Sequence, residues 1–317
     1  MKIKILLLRT VTLSLVSPDF LARDKVAQSF GRMAAQYEQH AQLQQFIGDF
    51  LLERLHDIKI NPQRIVDLGS GSGWLSRKLT ARYPKATCYS LDVALPMLQQ
   101  AQQKRPVSFW PFSRPRQFLI CADAMQLPLA DHSIDLLVSN LMLQWCNDFA
   151  PIFQEIARVL KPDGILLFTS FGPDTLRELR QSWATVDNYS HVNRFIDMHD
   201  LGDALLRSGF THPVMDTDWL YYHYPDVKSI LRSLKNIGAH NIMQGRLKTL
   251  TGKNRFQQMI QAYETLRQQQ GLPVTYEVIY GHAVGQSVKH SAKPSQNESS
   301  PHLVNVPISA IGRIKKA

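Results

Sequence analysis

Apolar side chains recur at helical spacing through residues 24–57, most of them in the proline-free run VAQSFGRMAAQYEQHAQLQQFIGDFLLERL, and this predicts helices. Beyond residue 64 the pattern changes. Short apolar runs at IVDL (65–68), ATCYSLD (86–92), FLICAD (118–123), SIDLLVSN (133–140) and GILLFTS (164–170) read as strands, the last starting after a KPDG turn. Amphipathic stretches at 73–82, 96–104 and 149–160 read as the helices between them. Repeated strand–helix units predict a mostly parallel sheet with helices on both faces. Helices at 174–186 and 199–209 then lead to a strand, HPVMDTDWLYYHY (212–224), and a last strand, TYEVIYGHAVG (275–285), making seven in all. Roughly fifty residues separate these two strands, against about 2–5 in an ordinary hairpin. They predict a helical insertion at 225–272.

The stretch RIVDLGSGSGWLS (64–76) runs strand, Asp67, then Gly69, Gly71 and Gly73, then helix. Such a turn brings backbone close to a ligand. A P-loop would need G-x-x-x-x-G-K-[ST], which is absent. The dinucleotide fingerprint would need its third glycine where Trp74 stands, so a pyrophosphate is disfavoured. Asp92 ends the second strand, where a carboxylate can accept from both hydroxyls of a ribose. Asp123 ends the third, within reach of an adenine amino group. Either aspartate alone also suits a helix cap. The acidic and glycine turns in register at the carboxyl ends of neighbouring strands point to a nucleoside instead.

Composition and charge alter this picture little. The chain is 44% hydrophobic and 20% charged over 317 residues, which is ordinary for a globular α/β protein. Its +10 net charge lies mostly in the ends: +3 in residues 1–17 and +4 in 286–317, leaving +3 for everything between. A nucleic-acid partner is not expected from such a distribution. Residues 1–23 are expected to form a disordered leader, unlike a secretory signal because Arg9 breaks the apolar run, and 286–317 a disordered tail. No run reaches the length of a membrane helix. Three widely spaced cysteines point to neither disulfides nor zinc, and to a reducing, cytoplasmic setting.

Taken together, the glycine turn, Asp92 and Asp123 resemble the class I S-adenosylmethionine-dependent methyltransferases. The resemblance implies a Rossmann-like fold with S-adenosylmethionine as cofactor. Asp67, Gly69, Gly71 and Gly73 would lie at its amino acid part and Asp92 at the ribose. Asp123 with Ala124 would lie at the adenine, and Asn140 completes the binding set. Longer segments in order, VAQSFGRMAAQYEQHAQLQ, SNLMLQWCND, FGPDTLREL, HVNRFIDMHDLGDAL, LKNIGAHN and TYEVIYGHAVG, resemble the biotin-synthesis enzymes that methylate malonyl-acyl-carrier protein. The resemblance spans residues 24–285, with 24–60 as a lid. It implies methyl transfer to the free carboxylate of a malonyl thioester and an acidic carrier protein as partner, with the enzyme itself expected as a monomer.

A carboxylate nucleophile needs orientation rather than a base, and the sequence presents no histidine–carboxylate pattern demanding one. Arg194 is the first choice to grip the distal carboxylate, with a helix-start salt bridge as its alternative. Gln144 and Trp145 follow the fourth strand and should face the methyl group, while Tyr37 is a candidate gate. Residues 227–263 carry seven Lys or Arg and no Asp or Glu. Such a single-sign stretch suits an acidic partner, and Arg232, Lys235 and Arg246 are its proposed contacts; a solvated basic face is the plainer reading. Rival functions are an arginine-modifying assembly factor of respiratory complex I, a quinone methyltransferase, and a non-catalytic RNA-binding module, the last without any aromatic single-strand platform.

Overall fold

The computed structural model describes residues 23–105, 116–239, 241, 243 and 251–286. Two helices, α1 (Arg23–His40) and α2 (Gln42–Glu53), precede the sheet. Then follow β1 (Arg64–Leu68), α3 (Trp74–Arg82), β2 (Thr87–Asp92), α4 (Leu95–Gln103), β3 (Gln117–Cys121), β4 (Ile134–Ser139), α5 (Ala150–Val159) and β5 (Leu160–Phe171). The chain continues through α6 (Arg177–Ala184), α7 (Met198–Arg207), β6 (Thr211–Tyr224), α8 (Val227–Asn236), α9 (Lys253–Glu264) and β7 (Leu272–Val284). Residues 1–22 of the expected 1–23 leader, residues 287–317 of the expected 286–317 tail, and Arg246 lie outside the described residues, while Arg23 starts α1.

The seven strands form one sheet in the order β3-β2-β1-β4-β5-β7-β6. The first five are parallel, and β7 runs antiparallel between β5 and β6. Alternate residues of each inner strand feed different cores. Ile65, Leu136 and Leu167 join α2, α3, α6, α8 and α9 on one face. Val66, Leu137 and Leu166 join α5 and α7 on the other. Burial on both faces is why these strands read as unbroken apolar runs. The sheet's direction of winding reverses between β1 and β4, so the carboxyl ends of those two strands flank the crevice where α/β sheets hold ligands.

Two sequence expectations shift. KPDG (161–164) lies inside β5: Leu160 pairs with Ile134 and Ile165 with Leu136, with a register shift between them. Asp163 adopts φ 61°, and a Cβ on Gly164 would sit 2.9 Å from the Lys161 carbonyl. A bulge therefore replaces the expected turn. The helix expected from 174 begins at Arg177, because Leu176 adopts φ 57° and stops it extending backwards.

Candidate active site

The glycine turn is fastened to the end of β2. Backbone N–H groups of Gly69 and Ser70 donate to the Leu91 carbonyl at 2.8 and 2.9 Å. The Gly71 N–H donates to Asp92 Oδ2 at 2.8 Å, and the Ala94 N–H donates to Asp92 Oδ1 at 2.8 Å. Asp92 thus ties the glycine turn to the segment entering α4, whose N-cap is Ala94. Burial pushes its pKa up, against the pull of these N–H donors.

A cleft of about 1170 Å³, open mouth included, lies over the turn. Gly69, Gly71, Asp92, Asp123, Ala124 and Asn140 all line it, as do Tyr37, Gln144 and Trp145. Among the described residues its walls carry two carboxylates and no lysine or arginine. That charge balance opposes a phosphate and suits a neutral nucleoside joined to a sulfonium and an ammonium. Leu68, Leu91 and Met97 supply an apolar floor. Asp123 also closes its own turn, Oδ1 accepting from the Met125 N–H at 2.9 Å. The Asn140 side chain donates to the Gln44 carbonyl at 2.9 Å and accepts from the Thr169 hydroxyl at 2.8 Å, joining α2, β4 and β5 at the cleft. Trp145 packs edge-on against Phe30 of α1, ring centres 5.0 Å apart. Burial raises the pKa of the Tyr37 hydroxyl, with Asp92 adding to the shift, so it stays a neutral phenol.

Two residues of the glycine motif fall elsewhere. Asp67 is 1% exposed and lies behind the turn, accepting from the Ser76 hydroxyl at 2.5 Å. It lines a separate pocket of about 440 Å³ that shares Tyr37, Gly69, Gly71 and Asn140 with the cleft. Burial pushes its pKa up to about 7, with the Ser76 bond opposing the shift. Gly73 lines none of the cavities described here. It holds φ 76° at the start of α3, and a Cβ there would come 2.9 Å from the Ala101 Cβ of α4. Its role is backbone geometry and helix packing. Gly73→Ala is expected to cost about 1–3 kcal/mol of stability and to lower the melting temperature by several degrees. Calorimetric affinity for S-adenosylhomocysteine, measured well below that melting point, should stay within about threefold.

Sequence reasoning missed Glu38. Its carboxylate accepts from Ser72 Oγ (2.9 Å), Arg77 Nη2 (2.7 Å) and Lys104 Nζ (2.9 Å). One side chain on α1 therefore fastens the covering helix to the glycine turn, α3 and the end of α4. Burial tends to raise its pKa, but the bonds from Lys104 and Ser72 and the charge of Arg77 outweigh this and lower it. Its position next to Tyr37 was the only available signal.

Arg194 does not line the cleft. It lines a second, wider cavity of about 1610 Å³ together with Arg180. That cavity meets the cleft at Gln144, Cys146 and Asn147. The structure also supplies the histidine–carboxylate pair that the sequence did not reveal. His191 Nε2 lies 2.8 Å from Asp187 Oδ1, and the ring stacks on Trp183 at 3.7 Å. His191 borders a third cavity rather than the cleft over the glycine turn, so it is not placed to act as a base in that cleft. Arg232 and Lys235 stand exposed on α8 with Lys228, at spacings that place all three on one helix face. Among the described residues no group of three or more His, Cys, Asp or Glu is placed to hold a metal, and no helix is long and apolar enough to cross a membrane.

A methyltransferase-domain family model matches residues 66–168. The malonyl-(acyl-carrier protein) O-methyltransferase of Gallionella capsiferriformans is 48% identical over 81% of this chain and 88% of its own length. The Coxiella burnetii protein named malonyl-(acyl-carrier protein) O-methyltransferase 1 is 41% identical over 92% of this chain and 96% of its own. The chain belongs to the malonyl-(acyl-carrier protein) O-methyltransferase family. It is an S-adenosylmethionine-dependent methyltransferase, and the cleft over the glycine turn has the charge and shape to take that donor. The YcgJ protein of Bacillus subtilis shares the fold, with a TM-score of 0.52 at 17% identity, covering 75% of this chain and 98% of that one.

Proposed function

We propose that this protein methylates the free carboxylate of a malonyl group held as a thioester on acyl-carrier protein, giving the methyl ester for biotin synthesis. The observation that carries this reading is 41–48% identity over 81–92% of the chain to the two enzymes named above. S-Adenosylmethionine supplies an electrophilic methyl: a carboxylate oxygen forms the new C–O bond as the S–C bond breaks, leaving a neutral thioether and moving no proton. The protein's residues therefore hold and orient. Asp92 takes the ribose, Asp123 and Ala124 face the adenine, and Gly69 and Gly71 lie against the methionine part, with Asn140 and Asp67 beside them. Tyr37 closes the cleft from α1. Gln144 and Trp145 stand where the acceptor meets the methyl group. Arg194, with Arg180 near it, holds the distal carboxylate oxygen from the second cavity. Placing an arginine outside the donor cleft keeps its charge from repelling the sulfonium, yet lets it fix the acceptor's orientation.

The carrier docks on α8. Lys228, Arg232 and Lys235 form an exposed basic face suited to an acidic partner. Arg246, in the segment after this helix, extends the same positive stretch of sequence. The enzyme works as a cytoplasmic monomer without nucleic acid. The defining experiment offers labelled S-adenosylmethionine with malonyl-carrier protein, succinyl-carrier protein, malonyl-coenzyme A and a quinone precursor. Base-labile label on malonyl-carrier protein is the expected result, and its absence overturns the reading. In the double variant Arg232→Glu/Lys235→Glu, KM for malonyl-carrier protein should rise about tenfold or more, while kcat/KM for malonyl-N-acetylcysteamine stays unchanged. Equal losses on both substrates would assign α8 a structural role only.

A further inference from the structure

Three cavities meet at one side chain. Gln144 lines the donor cleft, the arginine-lined cavity, and a third cavity of about 570 Å³. The third shares Gln44, Gln144, Trp145, Phe171, Ile237 and Ala239 with the cleft. Its remaining walls are largely apolar, with Leu176, Leu179, Leu234 and Tyr276 among them. Four carboxamides also border it: Gln44, Gln144, Asn193 and Asn241. Asn241 Oδ1 accepts from the Met243 N–H, whereas Gln44, Gln144 and Asn193 each have the side-chain oxygen buried with no hydrogen-bond partner. Gln144 is 7% exposed and Asn193 9%. The amide nitrogen of Gln144 donates backward to the Leu141 carbonyl at 2.7 Å, which leaves its oxygen as the free end.

An unpaired buried amide oxygen is costly. Three around one cavity are therefore expected to have a partner during the working cycle. Their chemistry says what kind. Among the described residues no lysine or arginine lines this cavity, and His191 is engaged with Asp187, so these walls do not suit a carboxylate or a phosphate. A carboxamide offers an acceptor and a donor that exchange on a half-turn of its terminal torsion. Its complement in either orientation is another amide. The cavity thus matches an uncharged, otherwise apolar chain carrying secondary amides.

We infer that the third cavity receives the amide-bearing pantetheine arm that joins the malonyl thioester to its carrier, with Gln44 and Asn193 as its amide contacts. This deepens the proposed function and rests on it. The three cavities then divide the substrates: donor in the cleft, carboxylate toward Arg194, arm along the amides, with the reacting oxygen near Gln144. Helix α8 links the arm to docking. Leu234 on its inner side and Ile237 just beyond its end wall the cavity, while Arg232 and Lys235 face outward from the same helix.

The test uses the intact protein and three small substrates that differ in amide count: malonyl methyl thioester with none, malonyl-N-acetylcysteamine with one and malonyl-pantetheine with two. In the wild type, kcat/KM should rise about fivefold for each amide gained. In Asn193→Leu, which keeps side-chain bulk, removes a carboxamide and lies outside the donor cleft, that gradient should flatten. The loss should reach about fivefold or more on malonyl-pantetheine, with malonyl methyl thioester unchanged. Calorimetric binding of S-adenosylhomocysteine reports whether the variant retains its fold. A wild-type series without gradient, or a variant that keeps the gradient, overturns the arm assignment and leaves the cavity to solvent. So does a variant that loses equally on all three substrates. A wild type that methylates no malonyl thioester would instead overturn the function on which the inference rests.

Discussion

Replacing Asp92 with asparagine is expected to raise the dissociation constant for S-adenosylmethionine about 100-fold. Both carboxylate oxygens already accept a backbone N–H, from Gly71 and from Ala94, and each keeps a lone pair for a ligand hydroxyl. An amide cannot reproduce this. In either orientation its NH2 meets one of the two N–H donors, so a bond turns into a repulsion and the glycine turn loses its tie to β2. The ribose also loses charge-assisted hydrogen bonds, each worth about 1.5–3 kcal/mol, and about 2.7 kcal/mol in total is a 100-fold change in affinity. Calorimetric titration with S-adenosylmethionine and with S-adenosylhomocysteine measures it, and both should weaken alike because they share the ribose. Thermal unfolding run alongside separates loss of binding from loss of fold. A change below about threefold would reduce Asp92 to a tie between the glycine turn and the entry to α4.

Much of this arrangement could be read in advance, for a specific physical reason. Inner strands buried on both faces must be apolar throughout, so β1, β2, β4 and β5 announced themselves. Residues at or just beyond strand carboxyl ends, Gly69, Gly71, Asp92, Asp123 and Asn140, line the cleft because the topology gathers those ends. What stayed hidden depends on contacts between distant segments. Glu38 fastens α1 to the turn through residues 34, 39 and 66 positions away, and nothing local marks it. His191 and Asp187 meet one helical turn apart in a segment with no regular helix, so periodicity could not pair them. Gly73 belongs to a motif whose other glycines line the cleft, yet a close approach from Ala101 decides its role. The division of the substrate region into three cavities around Gln144 is likewise a product of packing, since α1, α2, β4, α6 and the α8 turn must all be in place to enclose it.

The second large effect concerns pH. Asp67 is buried beneath the glycine turn with Ser76 as its hydrogen-bond partner, and Ser76 in turn lies 2.7 Å from the Ser90 hydroxyl. Burial lifts its pKa from 3.8 to about 7 in the folded protein. A carboxyl raised in this way holds its proton in the native state after the unfolded chain has released it. Between about pH 4 and pH 7 the native state therefore binds more protons, and this residue's contribution to stability falls as pH rises, then levels off above pH 7. At about 1.36 kcal/mol per pKa unit, the full swing is on the order of 4 kcal/mol. Asp67→Asn keeps an oxygen for the Ser76 hydroxyl and has no charge to bury. The variant should match the wild type near pH 4 and exceed its stability by a few kcal/mol at pH 8. Urea unfolding of both proteins across that range measures the difference, in which the other titrating groups largely cancel. A difference that does not change with pH would mean that Asp67 stays ionised in the fold, held by the dipoles of the turn and the Ser76 hydroxyl. A variant that is less stable at pH 8 would mean that the charge itself organises the turn. Either result would move Asp67 from a packed polar residue to one whose negative charge is available to the donor's ammonium group.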